Sequence, residues 1–249
     1  MEGNRLPVIL ILAMCLLFFG CATGSKKYAD DFFNEGAMWY QKGEYNRAVD
    51  EFSKALEMSP SGEREIYVIY YNRGLAYYKN RDYDKAIEDF TKSIQLTPGE
   101  RSKRKPVAEL YDTWMEVKPP SPKIKYELFN VHKARGDAYF YNEAYKKAID
   151  DYSLALQYGE QRKELPSVYE SLGWAWFQLG DFDRAIDEFS TALAYNPRLA
   201  QCYFGRARAW SEKGNPEVAL KDARKALKLR PESRKYDDLV FELKSAQKD

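Results

Sequence analysis

Four pairs of adjacent carboxylates, Asp50–Glu51, Glu88–Asp89, Asp150–Asp151 and Asp187–Glu188, have the residue types for general acid–base chemistry. A catalytic pair occurs once in a chain, however, and these recur at the same two positions of successive homologous segments. They therefore read as repeated scaffold, a solvated helix surface. The single histidine, His132, gives a His-ligated metal site or a Ser-His-Asp triad little to work with. Its place at a large-residue position predicts packing rather than ligation. Cys15 and Cys21 lie in the N-terminal segment, and Cys202 stands far from both, as a buried thiol without a disulfide partner. No Gly-rich phosphate loop, Cys-x-x-Cys pair or nucleophile elbow is present. No catalytic residue, cofactor, metal or small-molecule substrate is expected. The 39 Lys+Arg and 38 Asp+Glu nearly cancel, so no overall field steers the chain toward nucleic acid.

The elements that carry these residues are set by an internal period. "FNEGAMWYQKGEYNRAVDEFSKALEMSP" (33–60) aligns without a gap on "YNRGLAYYKNRDYDKAIEDFTKSIQLTP" (71–98). Copies follow at 133–160 and 170–197, with a weaker fifth at 204–231. A small residue stands at Gly36, Gly74, Gly136, Gly173 and Ala207, and three residues later come Trp39, Tyr77, Tyr139, Trp176 and Trp210. A second small residue recurs at Ala48, Ala86, Ala148, Ala185 and Ala219, followed by Phe52, Phe90, Tyr152 and Phe189 and closed by Pro60, Pro98, Pro197 and Pro231. Apolar residues at i, i+3, i+4 and i+7 mark amphipathic helices, and Gly43, Gly180 and Gly214 punctuate the turn within a repeat. Small residues let paired helices approach, and the aromatics, including Tyr77 and its equivalents, fill the space between them.

The pattern resembles the tetratricopeptide repeat of about 34 residues. The resemblance implies an all-α superhelical solenoid of five helix-turn-helix repeats, at 29–62, 67–100, 129–162, 166–199 and 200–233. Residues 234–249 are expected to form a capping helix, with Tyr236, Leu239, Val240 and Leu243 on one face. An insert at 101–128 interrupts the stack and carries a short amphipathic helix, "PVAELYDTWMEV", between basic, Pro-containing flanks. Leu110, Tyr111 and Trp114 on its apolar face offer a possible second contact.

In the tetratricopeptide fold the concave wall comes from the first helix of each repeat, three residues before the small residue and one and four after it. The resemblance places Phe33, Tyr40, Tyr71, Tyr78, Lys133, Phe140, Glu170, Trp174, Phe177, Phe204 and Arg208 there, with Asn72 beside them. It implies a non-catalytic scaffold whose aromatic groove captures a peptide segment of another protein. The Lys and Asn placements of relatives that clamp a C-terminal carboxylate are missing, apart from Asn72. A structural oligomer or non-catalytic subunit of an envelope complex is the alternative. An envelope enzyme is less favoured, with only Lys133, Asp137, Glu170 and Arg208 as a non-repeating polar cluster.

The N-terminus carries an address. Arg5 precedes an apolar run from Leu6 to Phe19, shorter than the ~20 residues a spanning helix needs. The run ends in Gly20 and Cys21 and resembles a bacterial lipoprotein signal peptide. This implies removal of residues 1–20, acylation of Cys21 and a tether over 21–28. An uncleaved N-terminal anchor is the other reading, and in either case the bulk of the chain faces out of the cytoplasm. Ala22, in place of Asp, points to the outer rather than the inner membrane under the enteric sorting rule.

Overall fold

The structure, a computed structural model, describes residues 28–59, 66–98, 120–159 and 163–246. Cys21, the apolar N-terminal run and the insert residues Leu110, Tyr111 and Trp114 lie outside them. The chain divides into two compact units, Met1–Pro119 and Pro120–Asp249, so the boundary falls within the predicted insert.

In the first unit, α1 (28–41) and α2 (Tyr45–Met58) form one antiparallel hairpin, and α3 (Ile66–Lys79) and α4 (Tyr83–Leu96) form the next. Ala48, Ala55, Ala76 and Ala86 are fully buried where these helices cross. Phe52 and Phe90 fill the space between the helices of each pair. A methyl group added at Gly74 would stand 2.8 Å from the Phe90 ring. Glycine is therefore required there by the closeness of the two helices.

The second unit contains α5 (Pro122–Tyr141), α6 (Tyr145–Tyr158), α7 (Leu165–Gln178), α8 (Phe182–Tyr195), α9 (Ala200–Glu212), α10 (Pro216–Leu229) and α11 (Arg234–Ser245). The helix-pair seam repeats, with Tyr152 against Gly136 and Phe189 against Gly173. Tyr236, Leu239, Val240 and Leu243 of α11 are all buried, closing the last repeat as the pattern predicted. One boundary differs from the sequence reading. The first helix of repeat three begins at Pro122, inside the segment read as insert. Ser121 caps it by accepting a hydrogen bond from the Ile124 amide, and Pro122 suits the first turn. Leu128, Phe129 and Val131 are buried on the lengthened helix, which explains why it extends back so far.

The intra-repeat turns use the left-handed region. Gly43, Gly180 and Gly214 take φ of 81°, 78° and 75°, whereas repeats two and three place Arg81 (63°) and Glu143 (60°) there.

Candidate functional site

In the first four repeats the residue four places after the small residue meets the first residue of the next helix. Ring centroids are 5.4 Å apart for Tyr40 and Tyr45, 5.8 Å for Tyr78 and Tyr83, 5.5 Å for Phe140 and Tyr145, and 5.4 Å for Phe177 and Phe182. In the first unit the position three before the glycine packs likewise, Phe33 on Phe52 at 5.6 Å and Tyr71 on Phe90 at 6.0 Å. Burial, then the neighbouring Tyr45, pushes the Tyr40 hydroxyl above its usual pKa. Asn72 donates to the Val68 carbonyl of its own helix at 2.8 Å. Phe33, Tyr40, Tyr71, Tyr78 and Phe140 are half-buried, whereas their partners Phe52 and Phe90 are core.

The second unit brings Glu170, Trp174, Phe177, Phe204 and Arg208 together. Trp174 lies 5.8 Å from Phe177, 6.2 Å from Phe204 and 5.2 Å from the core ring of Phe189. The Arg208 guanidinium sits over Phe177 at 4.7 Å. Phe177 is only 9% exposed, so this wall position has become core. Lys133 pairs with Asp137 at 2.9 Å, and the Tyr152 hydroxyl donates to the same carboxylate at 2.9 Å. Glu170 is half-buried, and burial raises its carboxyl pKa against the opposing pull of Cys202, Lys133, Lys235 and Trp174. Burial also pushes the Cys202 thiol up, first of several causes, which leaves it an inert core group. Beyond Arg208, a cleft of about 370 Å³ between α9 and α11 is lined by Phe204, Ser211, Lys235 and Leu239, with acidic side chains at its edge. Lys235 is held over the Phe204 ring at 5.2 Å and donates to the Gln201 amide oxygen at 2.7 Å.

Two features depart from the sequence reading. The second acid of each pair is not uniformly solvated. Asp89 and Asp151 are 4% and 2% exposed, and each takes a two-pronged bond from an arginine sixteen residues earlier. Asp222 of the fifth repeat does the same with Arg206. Burial alone would raise the Asp151 carboxyl, but the bonds from Arg135 and His132 outweigh it and hold the pKa below the usual range. His132, buried as expected, lies 2.9 Å from Asp151 and stacks on Tyr158. The sequence signal for this network was an arginine one residue before Gly74, Gly136 and Ala207, where the repeat usually has leucine.

The second departure concerns Trp39, Tyr77, Tyr139 and Trp176. They are half-buried edge residues rather than core, each covered by a cation from the third position of the following helix: Arg47, Lys85, Lys147 and Arg184. Among the described residues no group of acids, cysteines and histidines could hold a metal, and no helix is long and apolar enough to cross a membrane.

Paired antiparallel helices closed by a glycine-to-ring seam, with no strand among the described residues, define a helical-repeat protein. Residues 67–99 and 170–234 match family models of the tetratricopeptide repeat. The fold is shared with YrrB, described as a tetratricopeptide protein with an unusual peptide-binding site. That likeness has 19% identity and a TM-score of 0.63, covering 92% of this chain and 97% of that one. It is shared also with MamA, at 19% identity and a TM-score of 0.62, over 84% of this chain and 96% of that one. No curated protein sequence matches the chain.

Proposed function

We propose that this protein is a lipid-anchored docking scaffold of the bacterial cell envelope, periplasm-facing and held through Cys21 at the outer membrane. It captures a peptide segment of another envelope protein on the first helices of its repeats. The observation that carries the reading is the wall of the second unit. There Trp174, Phe204 and Arg208 are half-buried, with Trp174 6.2 Å from Phe204 and the Arg208 guanidinium over Phe177. Aromatic rings and an arginine at a concave surface are the groups that dominate binding energy at protein interfaces. A tetratricopeptide protein that binds peptide, YrrB, shares the fold.

The test places a photo-crosslinking residue at Arg208, and separately at Lys221 on α10, in the intact protein in its native envelope. Crosslinks to another polypeptide from position 208 above those from 221 are expected. Equal yields would refute the wall. Separately, mass spectrometry of the mature N-terminus is expected to find residues 1–20 gone and Cys21 carrying two or three acyl chains, enough for stable anchoring where one chain is marginal. An intact Met1 would refute the anchor while leaving the wall untouched.

A further inference from the structure

The repeats differ in how they fill one place, and the difference assigns a second site. In repeats two, three and five a guanidinium lies between the paired helices. Arg73 reaches Asp89 with Nε and Nη2 at 2.8 Å each, Arg135 reaches Asp151 at 2.7 and 2.8 Å, and Arg206 reaches Asp222 at 2.7 and 2.9 Å. Nη1 of Arg73 also donates to Ser53, and Nη1 of Arg206 to Ser190, on the second helix of the preceding repeat. Repeat four abandons the pair differently: Leu172 fills the arginine place with hydrocarbon and is 3% exposed.

The first repeat does neither. Both of its corresponding positions are acidic, Glu35 on α1 and Glu51 on α2. The Oε1 of Glu51 accepts from Lys54 at 2.7 Å. Its Oε2 is buried and has no hydrogen-bond partner, the only such side-chain atom among the described residues. The Glu51 side chain keeps 14% exposure at the edge of a cleft, so its second oxygen is placed to accept a donor from outside the repeat. Next to it opens a cleft of about 470 Å³, lined by Glu35, Asp50, Glu51 and Glu57 against two cations, Arg47 and Lys54. Both cations are already engaged, Arg47 over the Trp39 ring at 4.7 Å and Lys54 with Glu51 and over Phe32. The cleft therefore has carboxylate to spare.

We propose that the first repeat is an acceptor for an arginine side chain of a partner polypeptide. The incoming guanidinium takes the place that Arg73, Arg135 and Arg206 occupy in their own repeats, between Glu35 and the free Oε2 of Glu51. A planar guanidinium with several donors matches this place, as the other repeats demonstrate, whereas an ammonium is a more strongly hydrated point charge. The site lies in the first unit and is distinct from the wall of the second.

The test uses the full chain and follows the Trp39 indole resonance by NMR. N-acetyl-argininamide is expected to shift it saturably, and N-acetyl-lysinamide to bind at least about tenfold more weakly, a difference of about 1.4 kcal/mol. Glu51→Gln should remove the response. The double substitution Glu35→Arg with Glu51→Asp rebuilds the pair seen in three other repeats, so it should raise the melting temperature while abolishing the response. That second variant keeps the test sound if Glu51→Gln proves unstable. The proposal is overturned by an absent arginine response in the wild type, by an equal lysine response, or by tighter binding of calcium than of the arginine probe. Self-association of the wild type that Glu51→Gln abolishes would overturn the separate partner and make a second copy the donor.

Discussion

Replacing Arg135 by Gln should destabilise the second unit by about 3 kcal/mol, because it leaves a buried carboxylate without its main partner. The Asp151 side chain is 3% exposed and the Arg135 side chain 17%, so solvent screens the pair little. The lower part of the range for breaking a buried pair is expected, since His132 stays at 2.9 Å. The pH dependence gives the reasoning its sign. In the wild type the folded-state pKa of Asp151 is depressed. Its contribution is therefore complete above the unfolded value of about 3.9 and is lost as pH falls through the lower folded value. In Arg135→Gln the larger of the two opposing bonds is gone and only His132 still counters burial, so the folded pKa rises from its wild-type value. Lowering the pH then neutralises the stranded carboxylate and narrows the gap to the wild type. Urea unfolding of both proteins from pH 7 down to pH 4.5, still above the unfolded Asp value of about 3.9, measures it. Asp150→Ala, at the exposed neighbour, is the control and should stay within about 0.5 kcal/mol of wild type. A loss below about 1 kcal/mol, or a gap that does not change with pH, would refute the account.

Three further outcomes are expected. Glu143→Gly should stabilise by about 0.5–1 kcal/mol in thermal unfolding, because a side-chain-bearing residue at φ 60° is strained where Gly180 and Gly214 are not. Gly74→Ala should cost about 1–3 kcal/mol, since its methyl would stand 2.8 Å from the Phe90 ring and 3.3 Å from the Asp89 Cβ. Trp174→Ala should cost about 3 kcal/mol and Tyr77→Ala clearly less. The first packs against Phe177, Phe189 and Phe204, whereas the second is an edge ring beneath Arg73 and Lys85. Equal losses by calorimetry would show that the two faces are misassigned.

The order of that last pair reverses what the sequence suggests, and the reason shows what a repeat pattern can and cannot specify. Ala48, Ala86, Ala148, Ala185 and Ala219 are legible one position at a time: each is small because a helix crosses there, and each is fully buried. The glycine-to-ring seam and the capping stripe of α11 are legible for the same reason. A helix face at 3.6 residues per turn, however, does not say how deep a ring sits. The spacing assigns Trp174 and Phe177 to one wall, yet Phe177 is core, and the depth of Trp174 depends on Phe189 and Phe204 from other helices. The cation stacked over Trp39 or Trp176 comes likewise from across a turn, so a position read alone as core proved to be an edge.

The arginine–aspartate network was legible only jointly. Taken singly, Arg73, Arg135 and Arg206 look like departures from the usual leucine, and Asp89, Asp151 and Asp222 like surface acids. Compared across repeats, aspartate stands wherever arginine stands sixteen residues before it, and glutamate, as Glu51 and Glu188, wherever arginine is replaced. The shorter side chain suits a carboxylate met by a long partner. The longer one is found where no such partner comes from its own repeat. Burial accordingly raises the Glu188 carboxyl pKa, with Asp187 adding to the shift. Leu172 offers that group no countercharge, only apolar packing. In the first repeat the corresponding glutamate, Glu51, lines an open cleft together with Glu35, where the fourth repeat has the buried Leu172.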